Sequence, residues 1–317
     1  MQKRRSFYMR LLLIGLILFV ADLGIGGLMS HFYFRLRHGE QARTTLVMDS
    51  IRAPIVVLGS SRAAHHYIPS IITDSTGLAC YNAGKDQQGI FYSLAILRSI
   101  LSRYRPEWLI LDLTPIAFQP DQAGLDELSI LLPYYRRHPE IRAVLNKRSR
   151  WEWLKTHSSL YCYNSLPLQI VFNNLYGTGD SGVINGYIPK DQPMARTPAT
   201  AFTERELTDP PDSAIVGAFS EIISLSASNH CKLVVVVSPV YFSLPEGSST
   251  TRLAGMICRD HGVPFLDYSG AGSAGFSGHP ALFSDEQHLD HAGAVLFTRQ
   301  LCTDLRAKGL LTKGTAR

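Results

Sequence analysis

Short runs of apolar residues recur along the chain and alternate with longer amphipathic stretches. The runs cover residues 55–58, 108–113, 232–239 and 265–268, with a weaker one at 80–84. Uninterrupted apolar runs of this length are typical of strands that are buried on both faces of a parallel sheet. The pattern therefore predicts five strands, most of them in the interior of a fold.

Between these runs, apolar residues recur at helical spacing. They predict a helix over 89–104, one near 213–227, and a C-terminal helix with Ala294, Phe297, Leu301 and Leu305 on one face. Strands that alternate with helices need crossover connections, which place helices on both faces of a parallel sheet. We expect an α/β domain over residues 52–312.

Residues from about 116 to 210 interrupt the alternation. This stretch is rich in aromatic and charged residues and ends in a proline-rich run between Pro189 and Pro211. We interpret it as a mainly helical insertion into the α/β domain.

The N-terminus has the pattern of a membrane anchor. Residues 11–29 are apolar apart from Asp22, and nineteen helical residues span a hydrocarbon core of about 30 Å. No small-residue cleavage site follows, which favours an uncleaved signal anchor over a removable signal peptide. The length of the run and its terminal position argue against a buried soluble helix. The basic residues within 1–10 predict that this segment is a cytoplasmic tail. We interpret residues 30–51 as a linker. The rest would lie on the periplasmic or extracellular side of the cytoplasmic (inner) membrane, in a single-pass protein.

The charge of the chain bears on which partners it could bind. The 317 residues carry 31 Lys and Arg against 26 Asp and Glu, a net charge of +5. The basic residues are spread over the N-terminus and the middle segment, so we predict no nucleic-acid partner.

The five cysteines lack the spacing of a zinc site or a redox dithiol. We expect most of them in the core, with room for one disulfide if the domain is exported.

Two segments carry candidate chemistry. Ser61 stands between the first strand and the next helix, where ligands of parallel sheets bind. Near the C-terminus, Asp285 precedes His288 by three residues, so the carboxylate can hold one ring nitrogen while the other faces a serine. This is the arrangement of a serine nucleophile, its base and an orienting acid.

The Gly59-Ser60-Ser61 turn after an apolar strand, the glycine loop at Gly84 and the C-terminal Asp-x-x-His-Leu-x-x-x-Gly closely resemble the SGNH/GDSL hydrolase family. The similarity is greatest to its membrane-anchored branch of D-alanyl-lipoteichoic-acid esterase-like and polysaccharide O-acetylation proteins. It covers roughly residues 52–114 and 230–308. The resemblance implies a flavodoxin-like three-layer sandwich.

It also implies roles for single residues. Ser61 would be the nucleophile, His288 the general base and Asp285 its partner, with the N–H groups of Ser61 and Gly84 as oxyanion donors. The family's Gly-x-Asn-Asp block is missing, and Thr114 is the candidate substitute donor. A lost donor costs about 100–1000-fold in rate. We add Arg62 as a candidate substrate contact.

The function expected from this resemblance is a serine esterase or O-acyltransferase. It would act on acyl esters of cell-envelope polysaccharide or lipid, through an acyl-serine and without cofactor or metal. Its partners would be the membrane, the acylated saccharide or lipid substrate and a membrane acyl-donor protein. The alternative is a catalytically impaired accessory or binding subunit of an envelope-polysaccharide assembly, which the missing block favours.

Several simpler interpretations compete with these roles. Ser61 and Asp285 each suit the N-cap of a helix, and Arg62 and His65 suit an exposed helix face. His66 has no evident role. Two other patterns are decoys: the Gly-Asp-Ser-Gly at 179–182, which contains Ser181 and suggests a protease of another fold, and a metal site built on His288-x-x-His291.

Overall fold

The computed structural model describes residues 2–177, 183–194, 202–244, 246–270 and 275–310. Within these residues the chain forms two compact units. The first unit comprises Met1–Leu46 with Leu128–Asp180, and the second comprises Val47–Glu127 with Ser181–Arg317.

The first unit is built around a long helix, α1 (Gln2–Arg35). Its part from Arg4 to Arg35 is long and apolar enough to cross a membrane, a property of length and composition that a signal sequence shares. The predicted linker, residues 30–51, contains the end of α1 and the whole of a second helix, α2 (Gly39–Asp49).

The second unit contains a five-stranded sheet. Its strands are β1 (Ile55–Leu58), β2 (Cys80–Asn82), β3 (Trp108–Asp112), β4 (Lys232–Val237) and β5 (Phe265–Asp267). Every neighbouring pair is parallel, in the order β2-β1-β3-β4-β5. This is the flavodoxin-like order of a doubly wound sheet, so the predicted fold class is confirmed.

Helices separate the strands along the chain. The second unit holds α3 (Ser61–His66), α4 (Pro69–Thr76), α5 (Ile90–Arg103) and α6 (Gln122–Glu127). Between α6 and the next helix of this unit lie three short helices of the first unit: α7 (Arg142–Leu145), α8 (Glu152–Lys155) and α9 (Pro167–Tyr176). The second unit continues with α10 (Glu204–Thr208), α11 (Ser213–Ser228), α12 (Ser249–Asp260) and α13 (His291–Ala307).

The first unit also contains short 3₁₀ turns. They are Leu128–Tyr134, Pro139–Ile141, Asn146–Arg148 and Tyr161–Tyr163. The described residues 128–177, which lie inside the sequence region interpreted as an insertion, thus form largely short helical segments.

The central residues of β1, β3 and β4 are apolar because both faces of the sheet are covered. Alternate residues such as Ile55, Ile110 and Val236 share a core cluster with Phe297 and Leu301 of α13. The intervening residues are buried as well, on the face that α5 and α11 cover. A strand that is buried on both faces has no solvent-facing positions for polar side chains. This explains why apolar residues follow one another in these parts of the sequence.

Candidate active site

Ser61 begins α3 directly beyond the end of β1. The turn that leads to it passes through Gly59, whose φ of +146° is unfavourable for residues with a side chain. A Cβ at Gly59 would also lie 2.9 Å from the Asp112 carbonyl oxygen. The N-cap is Ser60, whose hydroxyl accepts the Arg62 N–H at 3.4 Å. The capping interpretation of Ser61 is therefore wrong, because its neighbour fills that role.

The structure brings Ser61, His288 and Asp285 into one hydrogen-bonded chain. Ser61 Oγ lies 2.7 Å from His288 Nε2. His288 Nδ1 lies 2.7 Å from Asp285 Oδ1 and 2.9 Å from Oδ2. Since both carboxylate oxygens are acceptors, Nδ1 donates its hydrogen and Nε2 is left to accept the serine proton. This is the tautomer that a general base requires.

Further donors hold the Asp285 carboxylate in place. Its Oδ1 accepts the backbone N–H groups of Gln287 at 3.0 Å and His288 at 2.9 Å, and Lys190 Nζ lies 3.2 Å from Oδ2. Partial burial alone would raise the pKa of Asp285. The hydrogen bond and charge of His288, the Gln287 N–H and the Lys190 charge outweigh burial and hold that pKa well below its usual range.

The last helix is capped by a different carboxylate. Asp290 precedes α13, and its Oδ1 accepts the Gly293 N–H at 2.7 Å. The capping interpretation of Asp285 is therefore wrong. His291 Nδ1 lies 2.9 Å from the Tyr187 hydroxyl. In the part of the chain that the structure describes, no three His, Cys, Asp or Glu side chains are grouped to bind a metal ion.

The predicted oxyanion donors differ in their surroundings. Ser61 is the first residue of α3, where N–H groups have no acceptor within the helix. The Gly84 N–H instead donates to Asn82 Oδ1 at 3.0 Å. Gly84 packs so closely on α3 that an added Cβ would lie 2.6 Å from Ala63 Cβ. Thr114, half-buried, follows β3 at the carboxyl edge of the sheet.

Arg62 points into the protein and has no exposed surface. Its Nε and Nη2 lie 3.2 and 2.9 Å from Ser238 Oγ, and Nη2 also donates to the Ser238 carbonyl. Its Nε lies 3.8 Å from Asp112 Oδ2. Both the exposed-helix interpretation and the predicted substrate contact of Arg62 are therefore wrong, because the guanidinium is enclosed by strand ends. Burial lowers the pKa of Arg62 and raises that of Asp112.

His66 belongs to the same buried network, although the sequence suggested no role for it. Its Nε2 accepts the Leu289 N–H at 3.0 Å, and its Nδ1 lies 2.8 Å from Ser238 Oγ. Burial, followed by the nearby Arg62 charge, holds the pKa of His66 well below its usual range. His66 thus connects the end of β4 to the residue that follows His288.

His65 is also buried, which contradicts its interpretation as an exposed helix residue. Its Nδ1 lies 2.7 Å from the Ile188 carbonyl oxygen and its Nε2 3.1 Å from Asp86 Oδ1. Its ring stands edge-on to that of His288, with centroids 5.6 Å apart. No pattern in the sequence marks Lys190 or Ile188 as part of the site, because both reach it only through the tertiary fold.

Two sequence features remain, the Ser181 motif and the cysteines. The Gly-Asp-Ser-Gly decoy with Ser181 lies outside the described residues. Each of the five cysteines is buried with a free thiol. Burial raises the pKa of the Cys258 thiol to about 12, which keeps this thiol protonated and unreactive at neutral pH.

Comparisons with known proteins give distant similarities only. No family model and no curated protein matches the chain. A candidate acylhydrolase from Bacteroides fragilis is similar in structure, with 13% identity, a TM-score of 0.40, and coverage of 81% of this chain and 87% of its own. A candidate lipolytic protein of the G-D-S-L family from Desulfitobacterium hafniense has 9% identity, a TM-score of 0.39, and coverage of 79% and 98%. At these TM-scores neither similarity is evidence for a function.

Proposed function

We propose that this protein is a membrane-anchored serine esterase or O-acyltransferase of the SGNH/GDSL type. Its substrates would be acyl esters of cell-envelope polysaccharide or lipid. The observation that carries the proposal is the chain from Ser61 Oγ through His288 to Asp285, with hydrogen bonds of 2.7 Å at both steps. Ser60 and Asp290 are the N-cap residues of α3 and α13, so neither Ser61 nor Asp285 is needed to begin a helix. This supports the proposal.

The chemistry follows from the tautomer of His288. Ser61 Oγ attacks the acyl carbonyl carbon while its proton passes to His288 Nε2, and Asp285 stabilises the resulting imidazolium. The carbonyl oxygen becomes an oxyanion, for which the Ser61 N–H is the best-placed donor. Collapse of this intermediate expels the alcohol, which takes the proton from His288 and leaves an acyl-serine. Water or a sugar hydroxyl then attacks the acyl carbon while its proton passes to His288 Nε2, which gives a second oxyanion. When this intermediate collapses, the bond between the acyl carbon and Ser61 Oγ breaks, His288 returns the proton to Ser61 Oγ, and the acid or the new ester leaves.

The anchor of this enzyme would be α1. The side chains of residues 4–20 are exposed all around the helix, which suits contact with lipid. The basic residues before Leu11 favour a cytoplasmic N-terminus, with both units on the outer face of the cytoplasmic membrane. A membrane protein that donates acyl groups would be the natural partner of a transferase at this location.

A second candidate function is a non-catalytic accessory or binding subunit of an envelope-polysaccharide assembly. The observation that favours it is the Gly84 N–H, which already donates to Asn82 Oδ1. If Gly84 does not turn toward substrate, the Ser61 N–H is left with at most one further candidate, Thr114. Each missing oxyanion donor costs about 100–1000-fold in rate.

A labelling and turnover experiment separates the two functions. The full-length protein should react with a fluorophosphonate probe and hydrolyse an activated acetyl ester. Ser61→Ala should abolish labelling and lower turnover at least about 1000-fold. Ser181→Ala, the matched control in the decoy motif, should do neither. If the wild type neither labels nor turns over ester, the accessory function is favoured; if Ser181→Ala is the inactive variant, our site is wrong.

Reporter fusions test the orientation separately. Alkaline phosphatase fused after residue 45 should be active, since that enzyme folds only outside the cytoplasm. A fusion to green fluorescent protein at the same point should be dark when it is exported in unfolded form. An inactive phosphatase together with a fluorescent partner fusion would place the hydrolase domain on the cytoplasmic side.

A further inference from the structure

Helix α9 of the first unit exposes its apolar side. Four large side chains, Leu168, Val171, Phe172 and Leu175, follow the spacing of a helix face, and their exposed fractions are 87%, 48%, 58% and 70%. Tyr176 extends this stripe with 74% exposure. A surface helix of a soluble domain normally shows polar residues there. An exposed apolar stripe of this size marks contact with another protein or with lipid.

The apolar stripe of α9 is fixed beside the outer end of α1. Asn174 Nδ2 donates to the Phe32 carbonyl oxygen at 3.3 Å, and Asn173 Nδ2 donates to Gln41 Oε1 at 2.9 Å. Phe32 comes three residues after Met29, where the predicted span ends. The helix that carries the stripe is therefore attached at the level where α1 would leave the membrane.

A second attachment lies deeper along α1. The Asp22 carboxylate accepts the N–H groups of Ser159 at 2.7 Å and Leu160 at 3.1 Å, together with the Ser158 hydroxyl. Asp22 precedes Met29 by seven residues, or about 10 Å along the helix. Any span of about 20 residues in this apolar run includes Asp22.

A carboxylate at that depth needs partners from the protein, and backbone N–H groups at that depth need acceptors. Asp22 and the 158–160 turn satisfy each other. The turn consequently lies at the depth of Asp22, below the level at which the α9 stripe is attached.

The surface next to this turn has the composition of a membrane interface. Trp151, Trp153 and Leu154, at α8, are about half exposed, with fractions of 49%, 50% and 51%. The exposed basic residues Arg150 and Lys155 stand beside them. Tryptophan together with basic side chains is enriched where a protein crosses from lipid to water.

We propose that the α8 region and the apolar stripe of α9 enter the outer leaflet of the membrane that α1 crosses. Phospholipid would contact these side chains. Part of the first unit would lie within the bilayer, and no linker would hold this unit away from it. This inference rests on the proposed anchor. Its role would be to fix the first unit at the membrane surface.

Tryptophan quenching in vesicles tests the proposal on the full-length protein. The chain has three tryptophans, of which Trp108 lies in β3 and is 7% exposed. With lipids spin-labelled on the acyl chain, wild-type fluorescence should be quenched most by labels about 5–10 Å below the headgroups. The double variant Trp151→Phe, Trp153→Phe should lose most of this quenching, since only Trp108 remains.

Three further variants, each with one tryptophan added to that double variant, test which surfaces of the protein contact lipid. Leu175→Trp on the stripe should be quenched. Leu296→Trp, 48% exposed on an otherwise polar face of α13, is the matched control and should not be. Phe19→Trp, 60% exposed in α1, reports on the anchor itself.

The outcomes distinguish the two hypotheses. Quenching at Phe19→Trp without quenching at Leu175→Trp and at Trp151 and Trp153 would overturn the immersion while the anchor stands. In that case a protein partner would be the better occupant of the stripe. Absence of quenching at all positions would remove the anchor and with it this inference.

Discussion

Replacement of His66 by leucine should lower both the stability of the protein and its turnover. His66 acts on the site through Leu289, whose N–H it accepts at 3.0 Å, and it is anchored by Ser238 Oγ at 2.8 Å. The ring has no exposed surface. Because Leu289 directly follows His288, the His66 contact fixes the backbone on which the proposed general base is mounted.

The magnitude follows from the two hydrogen bonds that leucine cannot make. A buried Leu289 N–H without an acceptor costs about 1–3 kcal/mol, and the lost bond to Ser238 adds about 0.5–1.5 kcal/mol. Leucine fills a volume close to that of the ring, so little cavity cost is expected. The free energy of unfolding should fall by about 1.5–4.5 kcal/mol. A shift of His288 by about 1 Å would lower kcat roughly 100-fold.

Two conservative variants separate positioning from stability. In His66→Gln the amide oxygen can reach the place of Nε2 and accept the Leu289 N–H. In His66→Asn the shorter amide can only replace Nδ1 beside Ser238. Urea unfolding would report stability, and kcat with KM for an acyl ester would report the site. We expect glutamine to recover most of kcat, asparagine to recover little, and KM to change least.

Either of two results would refute this reasoning. The first is a His66→Leu variant that unfolds at the wild-type urea concentration with an unchanged kcat. The second is an asparagine variant that recovers kcat as fully as glutamine does. In that case the Leu289 contact would not position His288.

Two other predictions concern the carboxylate. Asp285→Asn should lower kcat by about 10⁴-fold, because an amide favours the wrong tautomer of His288, whereas Asp290→Asn should keep turnover because asparagine caps helices well. Equal losses in both would contradict the assignment. Lys190→Gln removes a cation beside Asp285, one of the groups that hold the pKa of this carboxyl low, so the pKa of Asp285 measured by carboxyl-carbon NMR should move to higher pH. The shift should stay below about one pH unit, since both partners are partly exposed, and should shrink in high salt; a shift to lower pH would contradict it.

The fold and the triad geometry could be predicted because their signals are local. A strand buried on both faces shows as a continuous apolar run, as in β1, β3 and β4. The Asp285–His288 contact spans three residues in one loop. Only the approach of Ser61 to His288 is long-range, and the carboxyl edge of a parallel sheet brings such residues together.

The network below Ser61 could not be predicted in this way. Arg62 is buried because Ser238, 176 residues away, and Asp112 meet its guanidinium. In sequence it is an arginine one position into a helix, for which exposure is the usual outcome. The role of His66 could not be predicted for the same reason, since its two partners are Ser238, directly after β4, and Leu289, in the loop before α13.

The buried Arg62–Asp112 contact bears on how the site could stabilise an oxyanion. Asp112 occupies the strand end at which the family resemblance leads us to expect a side-chain donor, but its Oδ1 accepts from the Tyr67 hydroxyl at 2.6 Å and the Ser238 N–H at 3.2 Å. These bonds face the interior, so Asp112 serves the packing beneath α3. Under the proposed function, Ser61, His288 and Asp285 would supply the proton transfer, and electrostatic stabilisation would rest on the Ser61 N–H and the two candidates Gly84 and Thr114. Formation and breakdown of the proposed acyl-serine would pass through similar oxyanions, so a weak donor set would slow both steps. Whether the acyl group passed to water or to a sugar would then depend on which hydroxyl reaches His288 Nε2.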